Sequence, residues 1–177
     1  MHGVVLVTGV MAAGKSTVAQ ALAERLPRAA HVRGDVFRRM IVSGREEYGP
    51  DACGEAVAQL RLRHRLSAAT ADAYAEAGFT AVVQDVVLGE DLTAYVGLVR
   101  TRPLYVVVLA PDADAVAARE AGRSKTGYDN AAWTVAALDA ALRESTPPTG
   151  LWLDTSAQTP AQTVAAILAG RERARVS

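Results

Sequence analysis

A glycine-rich segment near the start of the chain places the strongest constraint on its fold. Residues Gly9–Thr17 read Gly-Val-Met-Ala-Ala-Gly-Lys-Ser-Thr and match the pattern G-x-x-x-x-G-K-[ST]. The apolar run Val4–Thr8 precedes this segment and is typical of a strand buried on both faces. Ser16–Leu26 follows with helix-forming residues and stops at Pro27. A buried strand, a tight turn and a helix in this order predict the first unit of an α/β domain.

The rest of the 177-residue chain repeats this alternation of strand and helix. The predicted strands are Val4–Thr8, Ala29–Arg33, Thr80–Val87, Leu104–Leu109 and Leu151–Asp154. The predicted helices after the first are Asp35–Val42, Asp51–Ala77, Glu90–Arg100, Ala113–Ala121, Ala131–Glu144 and a last one capped by Thr159 before Pro160. Such alternation requires crossover connections. We therefore predict one α/β domain over residues 1–177, with a five-stranded parallel sheet covered by helices on both faces.

Charge and composition exclude several classes of protein. The 19 basic and 19 acidic side chains cancel, which disfavours a dedicated nucleic-acid binder. No apolar run approaches the roughly 18 residues of a membrane-spanning helix, and the start of the chain lacks the basic and apolar regions of a signal peptide. Cys53 is the one cysteine, so no intrachain disulfide can form. These features lead us to expect a cytoplasmic protein with no membrane partner.

The pattern of Gly9–Thr17 is suited to holding phosphate groups. Glycines let successive backbone N–H groups turn toward one anion, and the following helix directs the positive end of its dipole to the same place. In this pattern the lysine, Lys15, reaches the β- and γ-phosphates, and the hydroxyl of Ser16 binds Mg²⁺. The predicted phosphate-binding residues are Gly9, Met11, Ala12, Ala13, Gly14, Lys15, Ser16 and Thr17.

Two aspartates follow predicted strands and should lie at the carboxyl edge of the sheet, where open parallel sheets bind ligands. Asp35 comes directly after Gly34 and the second strand. It could accept the proton of an acceptor hydroxyl or hold Mg²⁺ through water, and the structural alternative is a cap for the helix that follows. Asp85 ends the apolar run of the third strand and is predicted to contact Mg²⁺, either directly or through water.

A cluster of cations surrounds the polar segment Gly122–Asn130. Arg119, Arg123 and Lys125 there predict a small lid at about residues 119–130 that closes over the phosphates; the alternative is a solvated loop. Other arginines are less informative. Arg61, Arg63 and Arg65 alternate along a predicted helix and are interpreted as a solvated face.

These residues together resemble a known family. The Gly9–Thr17 loop, the Gly34-Asp35 pair, the segment Asp85–Gly89 and the two lid arginines are similar to those of the small P-loop phosphotransferases related to chloramphenicol phosphotransferase. The resemblance to gluconate, shikimate and adenylate kinases is more distant. It implies a P-loop NTPase fold with strand order 2-3-1-4-5, with Asp35 as the base and the lid arginines Arg119 and Arg123 as phosphate clamps.

The activity implied is ATP- and Mg²⁺-dependent phosphorylation of a hydroxyl group on a small molecule, such as a metabolite or an antibiotic-like compound. ATP is favoured because the chain has no N-K-x-D sequence for guanine. Residues 38–65 show little likeness to the chloramphenicol enzyme, so the acceptor stays open. The alternatives are a kinase for a nucleotide, a nucleotide-sugar or a polynucleotide end, and a nucleotide-binding regulatory protein that has no acceptor.

Overall fold

A computed structural model describes residues 1–49, 52–122 and 134–176 of the chain. The strands are β1 Val4–Gly9, β2 Ala29–Arg33, β3 Thr80–Gln84, β4 Leu104–Leu109, β5 Leu151–Leu153 and β6 Arg175–Val176. The helices are α1 Lys15–Arg25, α2 Gly34–Arg39, α3 Gly54–Glu76, α4 Glu90–Leu98, α5 Ala113–Ala121, α6 Val135–Ser145, α7 Pro160–Ala169 and α8 Arg171–Ala174. Their order confirms the predicted alternation of strand and helix.

The sheet has the strand order β2-β3-β1-β4-β5, and all of these neighbours are parallel. This order confirms the fold class that the sequence resemblance implied. The prediction of five strands was incomplete, since the two-residue strand β6 pairs antiparallel with the start of β4, where Leu104 is opposite Val176. Two residues among polar and charged neighbours leave too little apolar pattern for a strand to be recognised in the sequence.

The core lies on the two central strands. Every residue of β1 and β4 is buried, as expected for strands covered on both faces. Helix α1 packs against α7, while α3 packs against α2 and α4. Within the described parts of the chain, no helix combines the length and the apolar character that crossing a bilayer requires.

Several element boundaries differ from the predictions for local reasons. Strand β3 ends at Gln84 rather than Val87, because the Thr8 side chain takes over the hydrogen bonding beyond that point. Its hydroxyl donates to the Val87 carbonyl over 2.8 Å and accepts from the Val87 N–H over 3.0 Å. The predicted cap at Thr159 is confirmed, with a reciprocal capping box to Gln162 at the start of α7.

Helix α3 begins later than predicted, at Gly54, where the Cys53 thiol accepts a hydrogen bond from the Ala56 N–H. Helix α2 is shorter than the predicted Asp35–Val42 and ends at Arg39. The predicted start of the sixth helix, Ala131, and most of the predicted lid lie outside the described residues.

Candidate functional site

The loop between β1 and α1 has the backbone geometry of an anion-binding turn. Gly9, Ala12 and Gly14 all have positive φ angles, of 145°, 58° and 93°. Gly9 also has a steric requirement, since a Cβ there would overlap the Leu109 carbonyl oxygen on β4. Gly14 has open space around it and is needed instead for its left-handed backbone at the start of α1.

The side chains of this loop are arranged around its interior. Lys15 is the first residue of α1 and is buried, and its Nζ donates a hydrogen bond to the Val10 carbonyl at 2.7 Å. Ser16 and Thr17 follow it and are exposed. The ammonium is therefore held inside the loop, while the hydroxyl of Ser16 is open to a ligand.

A cavity of about 540 Å³ lies at the carboxyl edge of the sheet, in front of this loop. Of the residues predicted from the sequence, it brings together Met11, Ala12, Ala13, Gly14, Lys15, Ser16, Thr17, Asp35, Asp85 and Arg119. Gly9 lies behind the cavity at the end of β1. Arg123 and Lys125 lie outside the described residues.

Asp35 lies in the first turn of α2 with its side chain 43% exposed. Its Oδ2 is 2.9 Å from Nη2 of Arg39, one turn later, and its Oδ1 is 3.9 Å from Nε of Arg33. No described group donates a hydrogen bond to this Oδ1 atom, although it is shielded from bulk water. The alternative of Asp35 as the helix cap is wrong, because the N-cap position of α2 is Arg33. No side-chain capping hydrogen bond is made there. Oδ1 of Asp35 is therefore left without a hydrogen-bond donor among the described residues.

Asp85 has a different environment, since its carboxylate is completely buried. Its Oδ2 accepts a hydrogen bond from Nε of Arg63 at 2.8 Å, and its Oδ1 pairs with Nη2 of the same arginine. The Val86 N–H also donates to Oδ1, at 2.7 Å. A Cβ on Gly34 would overlap this carboxylate, so the glycine before Asp35 allows the close approach of β2 and β3.

Arg63 is the functional candidate that sequence reasoning missed. The interpretation of a solvated face holds for Arg61 and Arg65, which are exposed, but is wrong for Arg63, whose side chain is only 16% exposed. Burial lowers the pKa of the Arg63 guanidinium to about 10, and the nearby carboxylate of Asp35 opposes this shift, so the group stays charged at neutral pH. The sequence held one signal for this difference, the two-residue spacing of the three arginines. Residues two apart on a helix face different directions, so the three could not all lie on one solvated face.

Arg119, on the last turn of α5, connects two loops at the cavity. Its Nη2 donates to the Thr155 carbonyl at 2.6 Å and to the Ser156 carbonyl at 3.4 Å, in the loop after β5. Its Nη1 donates to the Ala13 carbonyl in the glycine-rich loop at 3.4 Å. This guanidinium therefore spans from the phosphate-binding turn to the segment that closes the side of the cavity.

A divalent cation is implied by the chemistry of the loop, and the residues present fit a partly solvated one. In the described regions no cluster of three or more His, Cys, Asp or Glu side chains could enclose a metal ion. Ser16 and Asp35 line the same cavity, and their side chains carry oxygen atoms. A small number of protein ligands is enough for Mg²⁺, because phosphates and water complete its coordination.

Comparison with known proteins agrees with this geometry. A family described as an AAA domain, AAA_33, matches residues 4–148. No curated protein sequence matches the chain. Among solved structures, a sugar kinase from Janibacter sp. HTCC2649 is 22% identical with a TM-score of 0.70, covering 98% of this chain and 96% of its own.

Two further solved structures share the fold over nearly their full length. The tunicamycin resistance protein of Deinococcus radiodurans is 14% identical with a TM-score of 0.66, covering 100% of this chain and 99% of its own. The APS kinase of Mycobacterium tuberculosis, in complex with AMPPNP and APS, is 16% identical with a TM-score of 0.66, covering 97% and 98%. The sheet and its flanking helices have the architecture of P-loop kinases.

Proposed function

Because the chain belongs to the AAA_33 family of P-loop kinases, we propose that it transfers the γ-phosphate of ATP to a hydroxyl group of a small molecule. One observation carries the proposal: the glycine-rich loop and the carboxylate-bearing residue Asp35 line the same cavity. Phosphoryl transfer needs a cradle for the donor and a group that receives the acceptor proton, and this cavity brings the two together.

The loop Gly9–Thr17 binds the phosphates of ATP in this proposal. The backbone N–H groups of Met11, Ala12 and Gly14 donate to phosphate oxygens, and α1 adds the positive end of its dipole. Lys15 exchanges its hydrogen bond to Val10 for one to the phosphates. The APS kinase that shares this fold is in complex with AMPPNP, which supports nucleotide binding by this chain.

Ser16 would hold Mg²⁺, with a carboxylate of the cavity acting through water. When bound, the ion neutralises the charge that develops on the phosphate oxygens. Of the two carboxylates that the sequence offers, Asp35 has an oxygen with no hydrogen-bond donor, whereas both oxygens of Asp85 are engaged by Arg63.

Asp35 receives the proton of the acceptor. The acceptor oxygen forms a bond to the γ-phosphorus, the bond from that phosphorus to the bridging oxygen breaks, and ADP leaves. The hydroxyl proton passes to the carboxylate of Asp35, which lies 2.9 Å from Nη2 of Arg39 and 3.9 Å from Nε of Arg33.

Arg119 orders the nucleotide site by tying the glycine-rich loop to the loop after β5. We also propose that Arg123 binds the γ-phosphate from a lid at residues 119–130 of a single kinase domain, and that this closure excludes water as a competing acceptor.

The free thiol of Cys53 supports the expected cytoplasmic location.

The proposed acceptor class is supported by the proteins that share this fold and by the charge balance of the chain. A sugar kinase, a tunicamycin resistance protein and an APS kinase share the architecture, which supports a small hydroxyl-bearing acceptor. The balance of 19 basic and 19 acidic residues supports the same choice.

The test is a screen for transfer of ³²P from labelled ATP to a panel of sugars, nucleosides and hydroxylated antibiotics. Lys15→Ala should abolish transfer, and Asp35→Asn should lower it by at least about 100-fold while nucleotide binding persists. Asp114→Asn, at an exposed carboxylate on α5, is the control and should behave like the wild type. Full transfer by Asp35→Asn would refute the role of Asp35, and nucleotide binding without any labelled product would favour the regulatory alternative.

A further inference from the structure

The carboxylate of Asp85 is largely occupied by protein contacts. A carboxylate oxygen has two lone-pair directions. On Oδ1, one is used by the Val86 N–H and the other by Nη2 of Arg63. On Oδ2, Nε of Arg63 occupies one, and the Cα of Gly34 lies so close that no Cβ would fit. The side chain is completely buried, so no water reaches it.

The same contacts fix the direction of Arg63. A guanidinium bound through both Nε and Nη2 is held in one plane and cannot swing on its long side chain. Its remaining nitrogen, Nη1, has no hydrogen-bond partner among the described residues, and it is not a buried atom. Arg63 lines the cavity, so this N–H edge faces the space in front of the glycine-rich loop.

Gly34 connects this pair to the predicted base. The backbone of Gly34 touches the Asp85 carboxylate, and the next residue is Asp35. The four residues therefore form a continuous arrangement in which Arg63 and Asp35 approach the cavity from neighbouring positions. The two side chains are electrostatic neighbours, so an acceptor hydroxyl presented to Asp35 would have a neighbouring oxygen on the side of the cavity that Arg63 lines.

We propose that Asp85 is a positioning residue for Arg63 rather than a metal-binding residue, and that Arg63 binds an oxygen of the acceptor next to the hydroxyl that is phosphorylated. The inference rests on the proposed kinase function. It replaces the metal role predicted for Asp85 with an acceptor role exerted through Arg63. The acceptor class that it selects carries two oxygen atoms on adjacent carbons, as in a vicinal diol or a hydroxy acid.

The first arm of the test needs no acceptor. Mg²⁺ is titrated against binding of a fluorescent ATP analogue by the full chain and its variants. The Mg²⁺ concentration for half-maximal binding should stay within about twofold of the wild type in Asp85→Asn, and rise at least about tenfold in Ser16→Ala. An increase in Asp85→Asn equal to that in Ser16→Ala would overturn the proposal.

The second arm separates positioning from a merely structural role. With the acceptor that the ³²P screen identifies, Arg63→Lys and Asp85→Asn should raise the acceptor KM at least about tenfold and leave the ATP KM within about twofold. Asp72→Asn is the matched control: Asp72 is also buried and paired with an arginine, Arg100, but lies at the opposite edge of the sheet.

Asp72→Asn should lower thermal stability without changing the acceptor KM. Equal effects of Asp72→Asn and Asp85→Asn on the acceptor KM would overturn the proposal, as would an unchanged acceptor KM in Arg63→Lys. A screen that finds no acceptor refutes the proposed function instead, and the Mg²⁺ titration still decides whether Asp85 binds the metal ion.

Discussion

Gly34→Ala should destabilise the protein far more than its small size suggests. The new methyl group would overlap the Asp85 carboxylate, which cannot retreat because Arg63 and the Val86 N–H hold it. Overpacking a tight site reduces the free energy of unfolding by about 1–3 kcal/mol, and breaking a buried ion pair by about 3–5 kcal/mol. Depending on how far the ion pair yields, we expect a loss of about 2–4 kcal/mol.

Urea unfolding followed by circular dichroism measures this loss. Gly97→Ala is the matched control, since Gly97 lies inside α4 with no atom near the position of a Cβ. Alanine there should raise the free energy of unfolding by about 0.5–1 kcal/mol, the difference in helix propensity. Gly34 does not have the positive φ that would add backbone strain, so any loss reports the contact with Asp85.

A double-mutant cycle identifies the contact directly. In an Asp85→Ala background the overlapping Oδ2 and Cγ atoms are gone and only the Cβ stays close, at 3.0 Å, so Gly34→Ala should then cost less than half of what it costs in the wild-type background. If Gly34→Ala is neutral in the wild-type background, or if its effect is the same in both backgrounds, the reasoning from the Gly34–Asp85 approach is wrong.

Two further predictions concern buried groups near the site. Thr8→Val should lower the free energy of unfolding by about 2–4 kcal/mol in urea titrations, because it leaves the buried Val87 N–H and carbonyl without their partner; Thr70→Val, at a hydroxyl bonded near the protein surface, should be close to neutral. His64 is buried, and burial lowers its pKa from 6.5 to about 4, so the unfolded chain binds the extra proton first. The contribution of the neutral His64 to the free energy of unfolding, roughly 3 kcal/mol, should be fully present above pH 6.5 and be lost as the pH falls toward 4. His64→Phe should flatten the stability profile in this range, and an unchanged slope would contradict the assignment.

The sequence predicted the parts of the molecule that depend on local pattern. The continuous apolar runs that became β1 and β4, and the glycine spacing between β1 and α1, reflect neighbours in the chain and could be recognised there. The placement of Asp35 and Asp85 at one edge of the sheet followed from the rule that parallel strands end together.

The parts that could not be predicted depend on how distant elements meet. Arg61 and Arg63 have the same type and a similar sequence context, yet only the crossing of α3 over the sheet decides which one reaches Asp85. Gly34 was recognised as half of a pair, but the reason for the glycine is a side chain 51 residues later along the chain. Similarly, the alternative of a cap at Asp35 failed because the N-cap position of α2 is Arg33, two residues earlier.

Two kinds of interaction determine the sheet and the cavity. Apolar burial on β1 and β4 specifies the sheet and has no preference for any ligand. The long-range polar contacts at the carboxyl edge, from Thr8 to Val87, from Arg63 to Asp85 and from Arg119 to Thr155, instead fix the walls of the cavity. Each joins segments that the core alone would leave free to shift relative to one another. Conservative changes at these positions should therefore impair ligand binding before they prevent folding, which makes substrate affinity the more sensitive measure of their roles.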